Sequence, residues 1–121
     1  YRGADAFVFP TLYEPFGNVC LEALASGLPC VFSPCSGGAE IVEEGESGLV
    51  MRDPADAGEM AGLIRACMDG EKAAAMGHAG RELALGFSVA ANTDRTEALY
   101  REVVAEKKRD LEGAAPAAEG P

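Results

Sequence analysis

Hydrophobic positions come as short unbroken runs early in the chain and as helically spaced stripes later. Ala6-Phe7-Val8-Phe9 is an apolar run stopped by Pro10, the pattern of a strand covered on both faces. Pro10, Pro15 and Gly17 break the next stretch into a loop. Asn18 is suited to cap a helix over residues 19–26, and Gly27 to end it. Residues 29–33 read as a second strand, 34–38 as a turn, 39–44 as a short helix closed by Gly45, and 48–52 as a third strand. Asp53-Pro54 places an acid at a cap and proline at the first helical position. A helix is therefore expected over 55–68, with Met60, Leu63, Ile64 and Cys67 as its apolar core stripe. Asp69-Gly70 interrupts it, a helix over 71–85 follows, and Ser88 can cap a long last helix reaching residue 110.

Strands alternating with helices predict an α/β fold with a parallel sheet covered on both faces. Three strands are fewer than the roughly five or six of a doubly wound sheet. The expected architecture is the second half of a Rossmann-like domain: a short parallel sheet, flanking helices and a long C-terminal helix. Residues 1–110 form the folded part, and the Ala/Gly/Pro-rich residues 111–121 are expected to be disordered. One sheet edge lacks a partner strand in this scheme, which invites self-association through strand pairing.

Composition narrows the function. A chain of 121 residues with 48% hydrophobic content can build a core as one domain or part of one. A net charge of −10 without a basic stripe argues against nucleic-acid binding. No apolar run is long enough to cross a membrane. The opening Tyr1-Arg2-Gly3, without an initiator Met, reads as a piece of something longer. The cysteines at 20, 30, 35 and 67 form no Cys-x-x-Cys pair, and the single His78 is distant, so no metal is expected. Cys20 and Cys30 fall in apolar patterns where cysteine acts as a small hydrophobe, consistent with a reducing cytoplasmic setting. A disulfide from Cys30 or another thiol to Cys35 is the alternative.

The candidate chemistry lies between Glu14 and Glu22, one carboxylate in a loop and the other in the second turn of a helix. The helix start between them offers backbone N–H groups with no intrahelical acceptor, and its dipole favours an anion. A diphosphate fits there, with Glu22 accepting hydrogen bonds from a vicinal diol and Glu14 accepting from sugar hydroxyls or stabilising positive charge at an anomeric carbon. On spacing alone a plain turn followed by a helix is the leading reading. Ser36-Gly37-Gly38 is a further candidate cradle or a simple strand-to-helix turn; it lacks the Gly-Lys-Ser/Thr of a Walker loop. Glu40 fits the first turn of the helix after it. His78, near Lys72 and Arg81, and the Arg101/Glu102/Glu106/Lys107 pattern read as solvated helix faces.

The run from Ala4 to Val31, containing Thr11-Leu12-Tyr13-Glu14-Pro15-Phe16-Gly17-Asn18-Val19-Cys20-Leu21-Glu22, resembles the donor-site signature of retaining glycosyltransferases of family 4, the group 1 family of the GT-B fold. The resemblance continues through Ser36-Gly37-Gly38-Ala39-Glu40-Ile41-Val42 and Glu44-Gly45-Glu46-Ser47-Gly48-Leu49-Val50, and weakly to about residue 105. It implies a C-terminal donor-binding segment of a hexosyltransferase that moves a sugar from a nucleotide-diphosphate sugar with retention. Carried over, Glu14 is the catalytic-site carboxylate at the sugar, and Glu22 binds the ribose. The amides of Phe16, Gly17, Asn18 and Val19 hold diphosphate or sugar oxygens. The resemblance implies no cofactor and no metal. The acceptor is a glycan, a lipid-linked glycan or a small molecule, and the setting is cytoplasmic or peripheral at the inner face of the membrane.

The chain departs from the family pattern in its cations. None of its ten Lys and Arg residues lies in loops 10–18 or 34–39, although a diphosphate leaving group needs positive charge. The resulting expectation is a donor segment that is inactive by itself. The other classes open at this stage are a non-catalytic module that self-associates through its sheet edge, and a nucleotide-sugar epimerase relative of the GT-B fold.

Overall fold

The structure, a computed structural model, describes residues 1–113. It divides into two compact units, Tyr1–Phe87 and the remainder from Ser88. The first holds β1 (Phe7–Phe9), α1 (Asn18–Ala25), β2 (Cys30–Phe32), α2 (Gly37–Ile41), β3 (Leu49–Val50), α3 (Ala57–Ala66) and α4 (Gly70–Leu85). The strands lie in the order β1-β2-β3, all parallel, with Phe7 opposite Cys30 and Val31 opposite Leu49. The α/β class and the three-stranded parallel sheet are those expected.

Alternation along each strand sends side chains to two covered faces. Phe7, Phe9, Cys30 and Phe32 meet Cys20, Ala23 and Leu24 of α1 and Ala84 of α4. Val8, Val31, Leu49 and Met51 meet Met60, Leu63 and Cys67 from the α3 side and Met76 of α4. Phe7 links the aromatic part of the first face, with ring centroids 5.8 Å from Phe9 and 6.2 Å from Phe32. The end of α1 is fixed by Gly27 at φ +75°. Its N–H donates to Leu24 O at 2.8 Å, while Leu28 N–H donates to Ala23 O at 3.3 Å. This Schellman-type stop needs the left-handed conformation that glycine supplies most readily. It returns the chain to β2 within a few residues.

Among the boundaries that differ from expectation, those of α3, α2 and β3 have a local reason. The expected helix at 55–68 is α3, and its cap is Asp56, not Asp53. Asp56 Oδ1 accepts the N–H groups of Gly58 at 2.8 Å and Glu59 at 3.0 Å, as an N-cap should. Asp53 instead closes a turn, accepting Ala55 N–H on its carboxylate at 2.9 Å. The helix expected at 39–44 is moved to Gly37–Ile41, because Val42 is extended and Ser47 Oγ accepts Glu43 N–H at 2.9 Å. The strand expected over 48–52 is reduced to two residues, and the Glu59 carboxylate takes the amides of Arg52 and Asp53.

The two sheet edges are unlike. On β3, Met51 N–H faces β2, donating to Phe32 O, so the Val50 N–H turns outward. There the Glu44 carboxylate accepts it at 2.6 Å. On β1, Phe7 N–H and Phe9 O bond toward β2, which leaves the N–H and C=O of Val8 directed away from the sheet.

The second unit consists of α5 (Val89–Gly113). Ser88 Oγ accepts Ala91 N–H at 3.2 Å, the expected cap, and Arg101 pairs with Glu97 one turn earlier. The helix extends past residue 110, and the expected disordered tail otherwise lies outside the described residues. No helix among them is long and apolar enough to cross a membrane.

The four thiols are free; Cys20, Cys30 and Cys67 are buried, and Cys35 is exposed. That geometry sets aside a Cys30–Cys35 bridge. Burial pushes the Cys30 thiol up to about 12 from 9.0. The unfolded chain therefore ionises this thiol before the folded protein does. Stability contributed by protonated Cys30 is complete below pH 9 and should fall as pH rises from 9 toward 12, which urea melts across that range would show. At neutral pH a thiol reagent should modify Cys35 quickly in the native protein and all four cysteines only after unfolding.

Candidate functional site at the carboxyl end of the sheet

Loop 10–17 leaves the carboxyl end of β1 and loop 33–36 leaves that of β2, so both open on the same end of the sheet. In α/β folds that end is where crevices for ligands form. The loops are joined through backbone. Glu14 N–H donates to Cys35 O at 3.0 Å, and Glu14 O accepts Gly37 N–H at 3.1 Å, a parallel bridge centred on Glu14 and Ser36. The second loop is itself braced by buried serines. Ser33 Oγ accepts Cys35 N–H at 3.0 Å, and Ser36 Oγ donates to Ser33 O at 2.8 Å.

Gly37 is where the joint is tightest. A Cβ there would run into the carbonyl oxygen of Pro15 and come within 3.1 Å of Phe16 Cα. Ser36-Gly37 is therefore the surface on which the Glu14-Pro15-Phe16 backbone rests, while Gly38 faces Phe32 and Cys20. The sequence left open whether this stretch is a phosphate cradle or a plain turn.

The start of α1 corrects one expectation. Asn18 does not cap the helix; it is its first residue, and Gly17 holds the cap position, extended at φ −80° and ψ 112° with no side-chain cap. Gly17 O accepts Cys20 N–H at 2.9 Å and tightens the first turn. Glycine offers no capping oxygen, so the leading amides of α1 have no side-chain acceptor. The positive end of the helix dipole stands uncovered by side chains there.

Glu14 lies beside this helix start. Its Cγ is 3.3 Å from the place a Cβ would occupy on Gly17, and the side chain is half-buried. The Cys20 thiol is raised above its ordinary value first by burial and then by the charge of Glu14, which sets the carboxylate near the first turn of α1. Phe16, Asn18 and Val19 are exposed around it, as are Leu12 and Tyr13.

Glu22 is exposed on α1, where its Oε2 accepts a hydrogen bond from the Tyr1 hydroxyl at 2.9 Å. The structure thus gathers Glu14, Gly17, Asn18 and Val19 around the helix start and joins Glu22 to a residue the sequence did not single out. No local signal could have shown it, since the partners are 21 positions apart.

Lys72 pairs with Asp69 at 3.3 Å and Arg101 with Glu97, and neither pair involves Glu14 or Glu22. A cleft of about 560 Å³ lies elsewhere, between β3, α3 and α4, lined by Leu49, Ala66, Lys72 and Met76 among others. It contains none of the expected site residues. His78 is exposed on α4, as expected of a solvated face.

Comparison with known proteins bears on the same segment. The family described as "Glycosyl transferases group 1" matches residues 1–83. Glycogen synthase of Mycobacterium tuberculosis is 45% identical over 71 residues, 59% of this chain and 17% of that protein. D-inositol 3-phosphate glycosyltransferase of Corynebacterium glutamicum is 34% identical over 112 residues, 93% of this chain and 27% of the relative. Among solved structures, sucrose-phosphate synthase from Thermosynechococcus elongatus superposes with a TM-score of 0.77 at 35% identity, covering 88% of this chain and 27% of that one. Anabaena HepE in complex with UDP gives a TM-score of 0.64 at 32% identity, over 75% of this chain and 26% of HepE. The chain spans from 17% to 27% of the length of these proteins.

Replacing Gly37 by Ala should wedge the two loops apart. Overpacking of this kind costs about 1–3 kcal/mol, readable as a lowered urea midpoint. Amide exchange at Glu14 and Gly37 should accelerate more than exchange in β2; equal acceleration everywhere would show that the joint is not a local constraint.

Proposed function

The chain belongs to the group 1 glycosyltransferases, and from that premise we propose that its loop 10–17 and the start of α1 bind the diphosphate sugar of a nucleotide donor for retaining transfer to an acceptor. The observation that carries this reading is the helix start without a side-chain cap, with the Glu14 stem packed against Gly17. The amides of Phe16, Gly17, Asn18 and Val19 hold diphosphate or sugar oxygens. The α1 dipole, equivalent to roughly half a positive charge at its amino end, favours the diphosphate as it leaves. Glu22 accepts hydrogen bonds from the ribose diol. Glu14 stands at the sugar, where a carboxylate stabilises positive charge developing at the anomeric carbon. No metal takes part; amides and basic side chains carry the charge of the leaving group.

The chain's own cations limit what it does alone. Loops 10–18 and 34–39 contain no Lys or Arg, and helix amides offset only part of the charge of a diphosphate. We therefore read the 121 residues as a donor segment that binds weakly and does not turn over unaided. Transfer needs basic side chains and an acceptor surface beyond these loops, for a glycan, a lipid-linked glycan or a small molecule. The HepE structures, solved with UDP and with UDP-glucose, support a uridine diphosphate sugar as the first donor to try.

Titration of the isotopically labelled chain with UDP-glucose should move the amide resonances of Gly17 to Cys20 first, with a Kd on the order of millimolar. Glu22→Ala should weaken binding about five- to tenfold, the worth of one or two hydrogen bonds. Shifts confined to the cleft lined by Leu49 and Met76 would refute the assignment. Where transfer is measurable, Glu14→Gln should lower kcat on the order of a hundredfold or more with a smaller change in KM.

A further inference from the structure

We propose that Tyr1 is a positioning residue for Glu22: its phenol holds one carboxylate oxygen and leaves the other, with the remaining lone pairs, to a nucleotide's vicinal diol. The inference rests on the reading of Glu22 as the ribose-binding carboxylate. A glutamate on the surface of a helix samples several rotamers, and that freedom is lost when it grips a ligand. Here one rotamer is already selected. Tyr1 Oη lies 2.9 Å from Glu22 Oε2, and the same hydroxyl is 3.5 Å from Val19 O. A hydroxyl has one proton, and at these distances donation goes to the carboxylate.

The phenol is placed by more than this bond. The Tyr1 ring is tilted on Phe7 with centroids 6.2 Å apart, and Phe7 in turn packs on Phe9 and Phe32 at the first face of the sheet. Tyr1 O accepts Ala4 N–H at 3.0 Å, which closes a turn before β1. Side chain and backbone therefore tie Tyr1 to the strand whose carboxyl end opens on the site. The bond to Glu22, chiefly, also raises the phenol above its ordinary value of 10.0, so Tyr1 stays a donor throughout the neutral range. A carboxylate offers about four lone-pair directions. One directed donor occupies a single direction, and a vicinal diol needs only two more.

The test is the affinity of the wild-type chain, Tyr1→Phe and Glu22→Ala for UDP and ADP and their 2′-deoxy forms, by chemical-shift titration. Tyr1→Phe keeps the ring on Phe7 and removes only the hydroxyl. If Tyr1 positions Glu22, it should weaken the ribonucleotide about fivefold, roughly 1 kcal/mol, and leave the deoxy form within about twofold. Glu22→Ala should abolish the preference for ribose altogether. If Glu22→Ala abolishes it while Tyr1→Phe leaves it intact, the ribose reading stands and the positioning role falls. Tighter ribonucleotide binding by Tyr1→Phe would mean that the phenol competes with the diol, and would overturn the proposal. If Glu22→Ala leaves the preference unchanged, or the wild-type chain binds none of the four, the ribose reading falls and this inference with it.

Discussion

Two backbone hydrogen bonds, Glu14 N–H to Cys35 O and Gly37 N–H to Glu14 O, hold the candidate site in shape. A loop carrying two prolines and a glycine has little intrinsic order. These bonds convert it into a third short parallel contact beyond β1 and β2, set on a turn braced by Ser33 and Ser36. Because the restraint acts on backbone, the Glu14 side chain takes no part in the joint while its Cα is fixed. The close approach needs Gly37, so the residue that permits this loop arrangement lies more than twenty positions from Glu14.

The remainder of the first unit supports that joint. The Schellman-type stop at Gly27 turns the chain from α1 into β2 without a long connection. Leu24 and Cys20 are then buried against Phe32, and the amino end of α1 is aimed by the burial of its own apolar face. α4 reinforces the arrangement from outside, with Gly77 against Gly27 and Gly80 against Leu24. The direction of the helix dipole at the site is thus a consequence of core packing two turns away.

Much of this was legible in the sequence because it is local. Apolar runs, the first two of them ended by proline, gave the three strands, Gly27 gave the end of α1, and Ser88 gave the cap of α5. The signature around Glu14 and Glu22 gave the family. What could not be read was competition among equivalent local choices. Asp53 and Asp56 are both good caps, and Glu59, by binding the amides of Arg52 and Asp53, belongs to the solution in which Asp56 prevails. Asn18 is a better cap than Gly17 by propensity, but it lies within the helix proper and the cap falls to a residue with no side chain. Long-range pairs left no trace at all, among them Tyr1 with Glu22 and the backbone of Glu14 with that of Gly37.

The unlike edges of the sheet give it a direction of growth. Beside β3 the outward amide of Val50 is already consumed by Glu44, so an incoming strand would first have to displace a carboxylate from a short bond. Beside β1 the peptide groups of Val8 project outward with no such toll. An incoming strand would therefore meet less resistance on the β1 side, and its addition would move β1 from the rim toward the middle. The loop that holds Glu14 would then stand at the centre of a wider sheet, where the helix dipole acts in a deeper and drier crevice.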